Sequence, residues 1–294
     1  MKGERDLLDA CRFPVSGTSV DLAISGGPDS LGLALLARAA GLFVTLHHVD
    51  HHARPTSSED AEFVVELARE WKVGVVVHDV HVDPGSNFEA RARGARRTVL
   101  PVGTLTGHTL DDLAETVLLN LLRGAGLDGL SPMVGDPTKP LLEVRRLDLS
   151  NYVVARGYVA RRDETNFDGR YRRNRVRHEV LPLLDDVAER DVALLLARAA
   201  KLIYDERSWI AEATAGDEEI GLADADCRDL ARWPAARARR WLRAQLARED
   251  PDGLHPPESG EIERALAVVR GEVVATELAG GRRLARRHQH LSLE

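Results

Sequence analysis

The strongest constraint on the fold is an alternation that runs from Ser19 to Arg123. Short apolar or β-rich runs lie at Ser19–Ser25, Phe43–Val49, Val73–Val80 and Val102–Gly107. Each is followed by a segment with helical spacing: Asp29–Ala40, Ser57–Trp71, Asn87–Leu100 and Asp111–Arg123. In the first of these, Leu31, Leu35 and Leu36 share a face. The second opens on Ser57 or Ser58 as a cap, with acids in its first turn. Strands separated by helices are not hairpin partners. They predict a parallel sheet covered on both faces, in a doubly wound α/β fold.

After Gly124 the pattern loosens. Gly126–Pro140 is rich in glycine and proline and reads as a long loop. A short helix is expected over Asp148–Gly157, a short strand over Tyr158–Arg162, and a helix over Asn174–Leu184. Asp186–Ala215 reads as one or two long helices. The boundary between two domains is expected near Gly216–Gly221, giving a catalytic domain over 1–216 and a smaller, mainly helical one over 217–294. The second should hold helices at Asp226–Arg248 and Ser259–Val269. It should end in a hairpin of Val273–Leu278 and Arg283–Leu293, turned at Gly280-Gly281.

Composition narrows the function classes. The two cysteines, Cys11 and Cys227, exclude a disulfide framework, a Cys-rich zinc site and a cysteine-ligated iron–sulfur cluster. No apolar run is long enough to cross a bilayer and no signal-peptide core is evident, so a soluble cytoplasmic protein is expected. The net charge of −7 argues against wholesale nucleic-acid binding, but the positive charge is segregated. Only Lys2, Lys72, Lys139 and Lys201 are lysines; the arginines cluster, most densely over Arg161–Arg177.

Ser25-Gly26-Gly27-Pro28-Asp29-Ser30 joins the first strand to the first helix. Its glycines permit close backbone approach, and the amides of the loop and helix N-terminus suit a phosphate, with Ser25 and Ser30 as further donors. Asp29 repels phosphate, which leaves it as metal ligand or helix cap. The hexapeptide is neither a Walker A loop nor a Rossmann fingerprint. It resembles the pyrophosphate-binding loop of the N-type ATP pyrophosphatase (PP-loop) superfamily, which implies an adenine nucleotide alpha hydrolase-like sheet.

Four further stretches resemble one branch, the tRNA(Ile)-lysidine synthetases. His48-Val49-Asp50-His51-His52-Ala53-Arg54 resembles H-V-D-H-G-L-R, with His52 and Ala53 as departures. Glu89–Arg96 resembles the A-R-x-x-R-Y helix, with Arg97 in place of Tyr. Thr106–Thr116 resembles T-A-H-H-x-D-D-Q-x-E-T, with Thr109 and Leu113 departing, and runs on to Arg123-Gly124. Asp163-Glu164-Thr165-Asn166 and Arg172–Pro182 resemble D-x-T-N and x-R-N-x-I-R-x-x-V-L-P. The likeness covers about the first 185 residues and is thin beyond.

The resemblance implies ATP, Mg²⁺, L-lysine and a tRNA(Ile) with a CAU anticodon. ATP adenylates the position-two carbonyl oxygen of the wobble cytidine, and the lysine amine then displaces AMP to give lysidine. Asp29, Arg93, Asp111, Asp112 and Glu115 are the implied catalytic set, with Asp29, Asp111 and Asp112 as Mg²⁺ ligands. Asp111 or Glu115 would take the ammonium. Ser25, Gly26, Gly27, Pro28, Asp29, Ser30, His48 and Asp50 would bind ATP. Arg54, Arg96, Arg123, Arg172, Arg173, Asn174, Arg175, Arg177 and His178 would bind tRNA. Arg173, Arg175 and Arg177 are read as alternating across faces, which suits RNA backbone rather than a solvated helix side. A homodimer is a candidate assembly. The rivals are a tRNA 2-thiolation enzyme, many of which need cysteines this chain lacks, and a non-catalytic nucleotide- or RNA-binding module.

Overall fold

The computed structural model describes residues 3–50, 57–81, 88–161, 169, 171–249 and 257–294. The chain divides into two compact units, Met1–Asp205 and Glu206–Glu294.

In the first unit a short helix α1 (Glu4–Asp9) precedes β1 (Ser19–Ala23), α2 (Pro28–Ala39), β2 (Phe43–Asp50), α3 (Ser57–Trp71), β3 (Gly74–Asp79) and α4 (Phe88–Val99). The three strands pair in parallel in the order β1-β2-β3, with Leu22 opposite Leu46 and Leu46 opposite Val75. One sheet face is apolar. Leu22, Val44 and Leu46 pack there against Leu31, Leu33 and Leu36 of α2 and Val64 and Leu67 of α3. Each leucine buried in this way contributes about 1.5–3 kcal/mol.

The expected fourth strand, Val102–Gly107, is reduced to one pairing. Leu105 bonds in parallel to the free edge of β1, donating to the Asp21 carbonyl and accepting from the Ala23 amide. A turn at Pro101–Thr104 with Gly103 at φ 87° precedes it. After it Thr106 turns away to bond the Thr138 carbonyl, so no longer ladder forms. The pairing still fixes topology. The chain steps from β1 to β2 to β3 and then returns to the far side of β1. The sheet order therefore reverses at the carboxyl end of β1, where open α/β sheets bind ligands.

Next come α5 (Leu110–Leu121), α6 (Leu127–Leu130) inside the expected loop, and α7 (Arg146–Ala155), which begins two residues before the expected start. The short strand expected over Tyr158–Arg162 does not form over residues 158–161, where the Arg161 amide instead bonds the Gly26 carbonyl. α8 (Arg172–Arg175) runs through one wide π turn, Val176–Val180, into α9 (Leu181–Ala188). Glu189, left-handed at φ 51°, ends α9, and α10 (Val192–Ala213) follows.

The second unit contains α11 (Cys227–Leu230), α12 (Ala235–Arg248) and α13 (Ser259–Arg270), then β4 (Ala275–Glu277), β5 (Arg283–Arg287) and β6 (His290–Leu293). Pro234 divides the helix expected over Asp226–Arg248, because proline supplies no amide and clashes with the preceding turn. The expected second hairpin strand folds back on itself at His288 and Gln289, both left-handed, so the sheet has three antiparallel strands. Trp241, Leu242, Leu246, Ile262, Leu266, Leu284 and Leu291 form its core.

Candidate active site

The loop after β1 is built to approach a ligand closely. Gly26 has φ +82°, and a Cβ there would meet Arg161 Cγ and Phe63 Cδ1 at 3.3 Å. Gly27 caps α2 and Pro28 opens it. Ser30 Oγ donates to the Gly27 carbonyl (3.0 Å) and lies 3.1 Å from Ser25 Oγ. The two hydroxyls thus shape the loop. The first-turn amides of α2 lack intrahelical acceptors and point their dipoles toward the same space.

Asp29 stands in that first turn. Its Oδ2 accepts from Arg146 Nε at 3.1 Å, while its Oδ1 is buried without a partner. Burial raises its pKa to about 6; Arg146 pulls it down and Asp112 pushes it further up. Gly107 packs directly behind it, where a Cβ would lie 2.7 Å from the Asp29 carbonyl oxygen.

α5 supplies the other acids. Asp112 Oδ2 accepts from the Thr109 amide and hydroxyl (2.9 Å each), completing a capping box. Asp112 Oδ1 accepts from Arg146 Nη2 (2.7 Å) and Arg173 Nη2 (3.0 Å). Glu115, one turn on, is fully buried. It accepts from Arg146 Nη1 (3.0 Å), Arg173 Nε (2.7 Å), and Arg177 Nε and Nη2 (2.7 and 3.1 Å). Burial pushes both carboxyls up, but the arginines and, for Asp112, the Thr109 amide outweigh it and hold them below the usual range. Arg146 therefore binds Asp29, Asp112 and Glu115 through separate nitrogens.

Asp111 points elsewhere. It accepts from Arg145 Nη2 (3.0 Å) and from the Arg146 amide (2.7 Å), closing the N-terminus of α7. Arg145 also pairs with Asp191. Asp111, Glu115, Arg145, Arg146, Arg177, Leu181, Pro182, Asp185 and Ala193 line a pocket of about 130 Å³.

The arginine-rich helix does alternate across faces, with its inward side turned to α5. Arg173 and Arg177 are four apart, share a face and both grip Glu115. Arg175 is exposed and pairs with Glu179. Arg172 and His178 are exposed and Asn174 is buried. Arg96, on α4, and Arg123, just after α5, are exposed. His48 is buried with Nδ1 2.8 Å from the Ile24 carbonyl, and Asp50 is buried at the end of β2. Both stand at the carboxyl edge of the sheet. Arg54, His51, His52 and 163–166 lie outside the described residues, as does the side chain of Arg93.

Among the described residues, no three His, Cys, Asp or Glu side chains converge as a ready-made metal cage. The donor set nevertheless fits Mg²⁺, which typically takes one or two carboxylates and fills its shell with phosphate oxygens and water. The unpartnered Asp29 Oδ1 is such an oxygen.

A model of the PP-loop domain family matches residues 5–184. A tRNA(Ile)-lysidine synthase of Mycobacterium bovis is 37% identical over 302 aligned positions, covering 95% of this chain and 90% of the relative. The chain belongs to the tRNA(Ile)-lysidine synthase family. The synthase of Nocardia farcinica is 39% identical over 250 positions, covering 80% of this chain and 77% of the relative. Lengths vary within the family: the chain spans 92% of the Thermobifida fusca synthase but 59% of the Symbiobacterium thermophilum one. Among solved structures, a U34-tRNA thiolase from Methanococcus maripaludis aligns with a TM-score of 0.56 at 17% identity, over 68% of this chain and 76% of that one. That likeness is one of fold.

Sequence reasoning missed Arg145 and Arg146, which do most to organise the site of this lysidine synthase family member. A signal was available. Two adjacent cations at a helix N-terminus oppose the helix dipole, and such local conflicts gather at functional sites. Placing the start of α7 at Asp148 hid it.

Proposed function

We propose that this chain joins L-lysine to the wobble cytidine of a CAU-anticodon tRNA(Ile), consuming ATP and giving lysidine, AMP and pyrophosphate. The observation that carries the proposal is the gathering of Asp29, Asp112 and Glu115 on one guanidinium beside the phosphate loop. The family supplies the substrate identities.

The loop amides and the α2 N-terminus bind the β and γ phosphates. Asp29, Oδ1 foremost, holds Mg²⁺, with Asp112 as the second candidate ligand. Bound there, the ion would supply charge neutralisation for the departing pyrophosphate. The cytidine leaves its stack to reach the site. Its O2 attacks the α-phosphorus and pyrophosphate departs. The lysine ammonium then docks on Asp112 and Glu115, displacing arginine contacts. Glu115 accepts one proton, the neutral amine attacks C2, and AMP leaves with the former O2. Asp111, committed to Arg145 and α7, positions rather than reacts. Exposed Arg96, Arg123, Arg172 and Arg175, and the unit Glu206–Glu294, are assigned to the tRNA backbone. A cytoplasmic homodimer completes the reading.

The test separates the half-reactions. With ATP, Mg²⁺ and a CAU transcript but no lysine, pyrophosphate should be released in step with adenylated tRNA, and lysine should then release AMP. Equal pyrophosphate release with a GAU transcript would contradict the proposal.

A further inference from the structure

Lys139 is one of only four lysines in the chain, and its side chain is largely buried. Its Nζ lies 3.9 Å from Asp136 Oδ2. Its Nζ donates to Thr106 Oγ1 (2.8 Å) and Thr138 Oγ1 (3.1 Å). Thr106 Oγ1 in turn lies 2.8 Å from His108 Nδ1. Gly107, between Thr106 and His108, abuts the Asp29 and Ser30 backbone, so the chain entering His108 lies against the first turn of α2.

Counting protons fixes the direction of this chain. An ammonium only donates, so Thr106 Oγ1 is an acceptor toward Lys139. The Thr138 hydroxyl gives its own proton to Asp136 Oδ1 at 2.6 Å, leaving its lone pairs for Lys139. The single proton of Thr106 has two outlets, His108 Nδ1 at 2.8 Å or the Thr138 carbonyl at 3.4 Å. The shorter contact is the better bond. His108 Nδ1 is then an acceptor and the imidazole carries its proton on Nε2. The neighbourhood also keeps the ring neutral: burial first and Lys139 second lower its pKa to about 4.

We propose that Lys139, acting through the Thr106 hydroxyl, is a positioning residue that locks His108 as the neutral Nε2–H tautomer, ready to donate that proton to a phosphate oxygen in the adenylation step. This rests on the ligase reading above. A fixed tautomer matters because a ring with its proton on Nδ1 would offer a lone pair, not a donor, to an anion.

Nitrogen-15 NMR of histidine-labelled protein tests it without turnover, with His108→Gln identifying the signal. The expected result at neutral pH is a protonated Nε2 and an unprotonated Nδ1. Thr106→Val should mix the tautomers and Thr106→Ser should restore the pattern. Lys139→Met should do as Thr106→Val does and move the titration of His108 upward from about 4. Pyrophosphate release should fall by about 100-fold in Thr106→Val and recover in Thr106→Ser. A wild-type ring protonated on Nδ1, or an Nε2–H signal unchanged in both Thr106→Val and Lys139→Met, would overturn the proposal. Absence of pyrophosphate release from the wild type, with the tautomer as expected, would fault the ligase reading instead.

Discussion

Asp29 should destabilise the empty protein at neutral pH, and Asp29→Asn measures by how much. Its carboxyl is raised from 3.8 to about 6 in the fold, mainly by burial. A proton held more tightly by the folded state stabilises it fully below pH 3.8, and that contribution is lost as pH rises through about 6. The shift is about two units, worth about 3 kcal/mol when complete. Asparagine keeps an acceptor for Arg146 Nε and carries no ionisation to suppress. The stability of Asp29→Asn relative to wild type should therefore grow by about 2 kcal/mol between about pH 4.5 and pH 8. Constant packing differences cancel in that comparison. Urea unfolding followed by circular dichroism at several pH values reads it. A gap that is flat, or that narrows as pH rises, would refute the argument. The functional corollary is that ATP with Mg²⁺ should raise the Tm of the wild type more than that of Asp29→Asn, because the cation offsets a charge the empty site holds at a cost.

Arg146→Met removes the shared partner of Asp29, Asp112 and Glu115 and should cost about 3–5 kcal/mol, read as a fall in Tm; an unchanged Tm would contradict the assigned network. Gly107→Ala places a methyl 2.7 Å from the Asp29 carbonyl, so it should raise KM for ATP and cost about 1–3 kcal/mol. Leu242→Ala, in the core of the second unit, should lower stability by about 2–5 kcal/mol without changing the KM for ATP. EDTA should abolish pyrophosphate release, and added Mg²⁺ should restore it.

Much of this was legible in the residues because local and global signals agreed. Ser57–Trp71 matched its expected span because cap, first-turn acids and apolar spacing all pointed to the same helix. The loop at Ser25–Ser30 was legible because strand, glycines and helix start come in order. Where the reading failed, a tertiary fact outweighed a local one. Val102–Gly107 has strand composition but is confined by Gly103 before it and by the Thr106–Thr138 contact after it. His288-Gln289 turns a hairpin with two left-handed residues and none of the glycine or asparagine that usually announces one. The contact of Arg173 and Arg177 with Glu115 was not legible, because charge density carries no direction and the buried acid lies some sixty residues earlier. The separate duties of Asp111 and Asp112 depend on Arg145 and Arg146, more than thirty residues away, and adjacent acids in a sequence give no hint of it.

Lysine transfer to one tRNA is directly measurable. Purified protein, ATP, Mg²⁺ and labelled lysine should be mixed with an isoleucine tRNA transcript bearing CAU, and with the same transcript bearing GAU. ATP-dependent label should appear in the CAU transcript alone and be lost in Glu115→Gln. Label in both transcripts, or none in either while AMP and pyrophosphate are still formed, would contradict the proposed function.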